Sequence, residues 1–155
     1  MDRQEFTGRV RMVSDMLYRV ACGQLRDHND RCDAVQEAVL KAWNRRHTLR
    51  NEQYFETWLV RILINECHSI QRRSARVMPM EKIPEPKAAP SDTAVELREA
   101  VMQLPEKLRM PVILHYMEGY DSKEIARMLR IPPGTVRTRL MRARNQLRDM
   151  LGDDD

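Results

Sequence analysis

The amino-acid sequence predicts an all-α protein of two small helical domains joined by a proline-rich linker, the second a four-helix domain ending in a helix-turn-helix. Three observations predict it. Apolar residues recur at steps of three and four through most of the 155 residues. Half of the eight prolines (Pro79, Pro84, Pro86 and Pro90) fall within residues 77–92. Glycine, at 5 residues, is too sparse for a turn-rich all-β fold. The length allows one ordinary domain or two small ones, and 42% hydrophobic against 32% charged residues suits two modest cores better than a single large one. The eleven methionines suit irregular gaps between helices.

The elements follow in order. Phe6, Val10, Val13, Leu17 and Val20 mark one face of a helix from about Gln4 to Leu25. The polar stretch Arg26-Asp27-His28-Asn29-Asp30 ends it. A second helix carries Val35, Ala38, Val39, Ala42 and Trp43 on one face, and the basic stretch from Asn44 to Asn51 reads as a loop. A third helix turns Phe55, Trp58, Leu59, Ile62 and Leu63 inward and runs to about Arg73. Beside that apolar face lies a polar stripe, Arg61, Asn65, His68 and Arg72, ending in Arg72-Arg73, which suits contact with nucleic-acid backbone or with solvent alone.

Proline lacks an amide donor and restricts the residue before it, so helix cannot propagate through Val77 to Asp92, and this stretch reads as a semi-extended linker. Ser91 or Asp92 then supplies an N-cap for a helix facing inward with Ala94, Leu97, Val101 and Leu104. Pro105 punctuates it. The next helix, about Glu106 to Glu118, carries Leu108, Val112, Ile113, Tyr116 and Met117 on its inner face, and Gly119 stops it. Asp121 with Glu124 forms a capping box for a short helix bearing Ile125, Ala126 and Leu129. After Ile131-Pro132-Pro133-Gly134 a last helix starts near Pro133, where a missing amide is harmless, and buries Val136, Leu140, Ala143 and Leu147.

The last two helices have the pattern of a helix-turn-helix. Ala126 is small where helices cross, and Ile131 and Val136 hold the turn. The second helix then projects Arg137, Thr138, Met141, Arg142 and Arg144, and its width fits the major groove of DNA. Arg137, Thr138, Met141 and Arg142 are placed for base edges. Arg139, Arg144 and Arg148 suit phosphates. Between Gly134 and Arg148 there is no acidic residue, whereas the chain ends Asp153-Asp154-Asp155; the overall charge of +4 is less telling than this distribution.

Other function classes find little support. Cys22, Cys32 and Cys67 form no CxxC pair, and His28, His47, His68 and His115 are scattered, so neither a metal site, a cofactor nor a catalytic nucleophile is expected, and the chain is not read as an enzyme. The charged N-terminus is unlike a secretory signal, and no apolar run reaches about 18 residues.

Three segments resemble the bacterial sigma-70 family, extracytoplasmic-function (ECF) branch. They are DAVQEAVLKAW (Asp33 to Trp43), FETWLVRILINECHSIQRR (Phe55 to Arg73) and the stretch from Leu104 to Arg148 containing YDSKEIARMLRIPPGTVRTRLMRAR. With the proline-rich connector between them they cover nearly the whole chain in the family's order. The resemblance implies a sigma factor that directs RNA polymerase to specific promoters, of a stress- or signal-responsive kind. It implies region 2 over residues 1–75, a linker over 76–92 and region 4 over 93–155. Asp33, Gln36 and Glu37 correspond to the face that binds the polymerase clamp. Asn51 and Tyr54, candidate pocket or stacking residues of a loop of about Arg46 to Gln53 that captures a flipped base, together with Arg61, Asn65, His68, Arg72 and Arg73, correspond to the minus-ten reader. Phe55 and Trp58 match family positions but suit the core. Arg137, Thr138, Met141, Arg142, Arg139 and Arg144 correspond to the minus-thirty-five reader. Ser69 and Cys32 stand where the family usually has an acid.

The implied partners are core RNA polymerase, promoter DNA and an anti-sigma factor. The implied location is the bacterial cytoplasm, where a membrane-bound anti-sigma factor could hold the chain at the membrane, with no insertion of this chain itself. Two rivals remain at this point: a stand-alone dimeric regulator with a similar helix-turn-helix, and a sigma-like chain that only binds an inhibitor.

Overall fold

A computed structural model describes residues 1–76 and 93–152. The expected linker and its N-cap at Ser91 or Asp92 lie outside the described residues. Among those described, seven helices and no strand are found. The N-terminal body holds α1 (Arg3–Cys22), α2 (His28–Asn44) and α3 (Phe55–Arg76); the C-terminal body holds α4 (Thr93–Gln103), α5 (Glu106–Val112), α6 (Ser122–Leu129) and α7 (Pro133–Leu151).

Local chemistry sets the boundaries. Asp2 and Asp27 each cap a helix by accepting a backbone N–H from the third residue on, Glu5 and Asp30. The α2–α3 connection is two short 3₁₀ turns, Arg46–Thr48 and Glu52–Tyr54, rather than plain loop. Both halves of the Asp121–Glu124 capping box form. Gly119 stops the preceding helix with φ at +82°.

Two expected faces are corrected. On α4 the expected inward residues Ala94 and Leu97 are exposed, and burial begins at Ala100, Val101 and Leu104. Tyr116 and Met117, expected inside, are 54% and 47% exposed. The helix does not continue in α form past Val112 but opens into a π-helical turn, Ile113–Met117. The extra residue per turn shifts the phase, so Ile113 and Leu114 are buried, His115 is half-buried, and Tyr116 and Met117 face out. On α2 the tightest contact is made by Ala34, Ala38 and Ala42, all fully buried, with Val35, Val39 and Trp43 at the margin. Such small residues let α2 and α3 approach closely.

The two bodies do not have separate cores. Leu17, Val20, Leu59 and Leu63 from the first and Leu104, Leu114, Ile125 and Val136 from the second belong to one continuous apolar cluster. Here the composition-based expectation of two modest cores is revised. Burying the facing apolar surfaces of two small bodies against each other compensates for what each lacks alone.

Candidate nucleic-acid and polymerase interfaces

α7 is anchored by Val136, Leu140 and Ala143, one buried face at steps of four and three. Arg137, Thr138, Met141, Arg142 and Arg144 point outward, and Arg139 is half-exposed. The turn before it is tight. Arg130 adopts the left-handed conformation (φ 58°, ψ 45°), and the Ile131 amide donates to Ala126 O at 3.1 Å. Two projecting residues are tied locally. Thr138 Oγ1 donates to Gly134 O at 3.0 Å, and Arg144 Nη1 donates to the Tyr116 hydroxyl at 2.9 Å. The exposed Tyr116 therefore joins this surface, which the helix periodicity missed because the π-helical turn is not visible in the pattern.

On α2, Asp33, Gln36 and Glu37 are exposed on the side away from the alanine seam. Leu40, 56% exposed one turn further along, extends that face with an apolar residue. The start of α2 is acidic. Burial raises the Asp30 carboxyl, the nearby charges of Asp27 and Asp33 push it further up, and Arg73 opposes them.

The expected minus-ten residues are divided by the structure. Asn65, His68 and Arg72 come together in a groove between α2 and α3, lined also by Lys41, Arg45 and Ser69. Arg72 Nη2 donates to Ser69 Oγ at 3.1 Å, so the serine found in place of an acid positions an arginine. Glu66, buried at the groove floor, is ion-paired with Lys41. Burial, with the nearby Glu106 and Glu66 carboxylates adding to it, pushes the neighbouring Cys67 thiol up to about 12, which makes it an inert core group.

Arg61 lies elsewhere, facing the C-terminal body. Burial lowers its guanidinium pKa, and Arg130 nearby adds to the effect. Asn51 caps the second 3₁₀ turn, its side chain accepting the Gln53 amide at 3.0 Å. Tyr54 has the Arg127 guanidinium 4.2 Å above its ring. Beneath the loop lie Phe6, Trp43, Phe55 and Trp58, with ring centroids 5.2 to 6.1 Å apart. Phe55 is fully inside, as expected, and Trp58 is half-buried.

The seam between the bodies is polar at its edges. Arg19 grips Glu118 with two nitrogens, Nη2 to Oε1 at 2.8 Å and Nε to Oε2 at 3.0 Å, and this hydrogen bond raises the arginine pKa despite some desolvation. The Tyr120 hydroxyl donates to Glu56 Oε2 at 3.0 Å; burial raises the phenol pKa and that bond adds to it. Glu106 Oε1 accepts from Gln24 Nε2 at 2.9 Å and lies 3.4 Å from both His68 Nε2 and Gln71 Nε2.

Comparison with known proteins now decides between the rivals. Residues 9–77 match the family described as Sigma-70 region 2, and residues 94–147 match Sigma-70, region 4. The ECF RNA polymerase sigma factor SigM of Mycobacterium tuberculosis is 34% identical over 155 residues, covering 97% of this chain and 79% of that one. The chain belongs to the ECF branch of the sigma-70 family. RNA polymerase sigma factor SigV of Bacillus subtilis is 31% identical, over 89% of this chain and 86% of that one. Among solved structures, the sigma factor RpoE of Bartonella quintana, in complex with the anti-sigma factor NepR, superposes with a TM-score of 0.81 at 25% identity, covering 98% of this chain and 99% of that one. CnrH, in complex with the cytosolic domain of CnrY, shares the fold at a TM-score of 0.74 and 21% identity, covering 99% of this chain and 92% of that one.

This sigma factor is therefore a regulatory transcription initiation factor that directs RNA polymerase to promoters. The region 2 match carries α1–α3 and the region 4 match carries the helix-turn-helix. No helix among the described residues is long and apolar enough to cross a membrane.

Proposed function

We propose that this sigma factor acts by binding alone, with no turnover of its own, and that its two bodies divide the work. Residues 1–75 dock on core polymerase through Asp33, Gln36 and Glu37, with Leu40 as the apolar centre of the patch. They read the minus-ten element with Asn51, Tyr54, Arg61, Asn65, His68, Arg72 and Arg73. Residues 93–155 read the minus-thirty-five duplex. Arg137, Thr138, Met141 and Arg142 meet base edges, and Arg139 and Arg144 meet phosphates. Residues 76–92 join the two.

The observation that carries this reading is the exposed basic face of α7. Arg137 and Arg142 are solvent-exposed and, among the described residues, neither is in an ion pair. An arginine left unpaired on a rigid helix is available for bidentate contact with guanine. Run-off transcription with purified core polymerase across a promoter library tests it. Promoter-specific transcripts are expected, and their absence at every site, with no association with core, would refute the reading.

An anti-sigma factor is the proposed regulator, and the pairing of RpoE with NepR supports it. Where that regulator is membrane-bound, it would hold this chain at the membrane. A pull-down under non-inducing conditions should retrieve it together with the chain; recovery of polymerase alone would count against it.

A further inference from the structure

The first turns of α2 carry a group of side chains that the promoter and polymerase readings leave unused. Cys32 Sγ lies 3.6 Å from His28 Nε2, within hydrogen-bond reach for sulfur. The other ring nitrogen, Nδ1, lies 2.7 Å from the hydroxyl of Tyr18 on α1. The Tyr18 and His28 rings also meet edge to face, with centroids 5.7 Å apart. Thiol, imidazole and a third group that orients the imidazole thus stand in line, supplied by two helices.

Helix spacing alone does not make this arrangement. His28 and Cys32 are four residues apart and share a face of α2. An exposed histidine on a first turn is nevertheless able to change rotamer. Tyr18, reaching across from another helix, fixes the ring so that Nε2 faces the sulfur.

The protons can be placed without conflict. In a neutral imidazole one nitrogen donates and the other accepts. With Nδ1–H donating to the Tyr18 oxygen, Nε2 is left to accept from the Cys32 thiol. Once Nε2 has taken that proton, the imidazolium still donates through Nδ1 to the same oxygen. A nucleophile, its base and a group that orients the base form the arrangement that activates a thiol.

Access separates this thiol from the core one. Cys67 is fully buried, whereas Cys32 is half-buried and open to a small reagent. Its location gives the chemistry a consequence. Cys32, Gln36 and Leu40 recur at steps of four along one stripe of α2, and Asp33 and Glu37 run beside it. These are the residues proposed above to dock on core polymerase, and the consequence rests on that reading. A bulky group on the Cys32 sulfur occupies one end of the stripe and holds a docking partner off.

We propose that Cys32, with His28 as its base and Tyr18 orienting that base, is an oxidation site for hydroperoxides, and that capture of the oxidised sulfur by a low-molecular-weight thiol blocks docking on core polymerase. His28 Nε2 takes the thiol proton, and the thiolate attacks one peroxide oxygen. The S–O bond forms as the O–O bond breaks; the sulfur is oxidised by two electrons and the peroxide is reduced. The leaving oxygen takes the proton back from His28 Nε2 and departs as water or an alcohol, which leaves a sulfenic acid. The small thiol then attacks the sulfenic sulfur and gives its proton to the departing hydroxyl. Water leaves, and a mixed disulfide remains.

Treating the purified full chain with hydrogen peroxide, trapping sulfenic acid with dimedone and locating the label by peptide mass mapping tests the site. The wild type is expected to label at Cys32 and not at Cys67. His28→Gln should slow labelling about tenfold or more, the low end of what a positioned acid and base contribute. Tyr18→Phe, which keeps the ring and loses the hydroxyl, should give a smaller loss. Circular dichroism checks helix content, and if His28→Gln loses it, Tyr18→Phe decides. Labelling of His28→Gln at the wild-type rate would show an ordinary exposed thiol and overturn the site, as would labelling confined to Cys22.

The second arm measures affinity for core polymerase before and after hydrogen peroxide with glutathione, each protein compared with itself. The wild type should weaken about tenfold or more, because bulk placed in a docking stripe builds a clash. Dithiothreitol should restore it, which separates the disulfide from methionine sulfoxide, a lesion that needs a dedicated reductase. Cys32→Ser should show no change on treatment. A glutathione adduct on Cys32 with unchanged polymerase affinity overturns control of docking. Failure of the untreated wild type to bind core polymerase would instead sink the docking reading of α2, while the labelling rates would still decide the thiol site.

Discussion

The two bodies present similar chemistry in opposite ways. α3 and α7 each carry an apolar face and a polar face rich in arginine. α7 buries its apolar face on α4, α5 and α6 and leaves its arginines in solvent. α3 buries its apolar face on α1 and α2 and then turns part of its polar face to the C-terminal body, His68 meeting Glu106 at the start of α5. A basic helix is therefore not by itself a displayed surface. What packs on it decides whether it can reach DNA.

The strongest way to break this contrast is to remove the anchor of α7. Leu140 is buried and continues the line from Val136 to Ala143. Leu140→Ala should cost about 2–5 kcal/mol by lost burial plus cavity. Because the apolar cluster is continuous, the loss should appear in chemical denaturation as one cooperative transition at lower urea, not as separate melting of one body. Two resolved transitions would show that the bodies are energetically independent.

The position of this seam was hidden in the sequence. Helix existence was legible throughout, because steps of three and four persist and caps such as Asp121 with Glu124 and stops such as Gly119 use local chemistry. The recognition helix was legible for the same reason, and Arg137, Thr138, Met141, Arg142 and Arg144 do project together. The stripe on α3 was legible as a stripe, but not its division. Whether Arg61 stands in open solvent or near Arg130 depends on packing between segments far apart in the chain, which no local pattern encodes. Tyr116 and Met117 were misplaced because a π-helical turn changes the phase without a distinctive residue.

The next largest effects separate base reading from backbone holding on α7. Arg137→Ala or Arg142→Ala should cost about 1–3 kcal/mol at one minus-thirty-five base pair and relax preference there. Arg144 is held by Tyr116, beside the base-facing residues. Arg144→Ala should weaken all sequences alike and lower the salt slope of binding by about 1. Equilibrium binding to a set of single-base variants at several salt concentrations distinguishes the two patterns. A specificity change in Arg144→Ala would move it to the base-reading group.

The smallest effect expected is a pH dependence of the seam. His68, hydrogen-bonded from α3, holds the Glu106 carboxyl below its ordinary range against a desolvation cost, with Gln71 and Arg109 assisting. The groups facing Glu106 are His68, Gln71 and Cys67 from α3, Gln24 from the end of α1, and Arg109 from its own helix, itself beside Arg26. The sign follows from linkage. A carboxyl depressed where the two bodies pack binds fewer protons there than when they are apart, so packing is favoured above the ordinary glutamate value, about 4.3, and that contribution is lost as pH falls through the depressed one. Other carboxylates titrate in the same window, so the decisive quantity is a difference between proteins. Scattering radius measured from about pH 6 to about pH 3 should rise earlier in the wild type than in Glu106→Gln, whose side chain keeps the shape but carries no charge to lose. Identical profiles would remove Glu106 from the forces that hold the two bodies together and leave the polar seam to Arg19–Glu118 and Tyr120–Glu56.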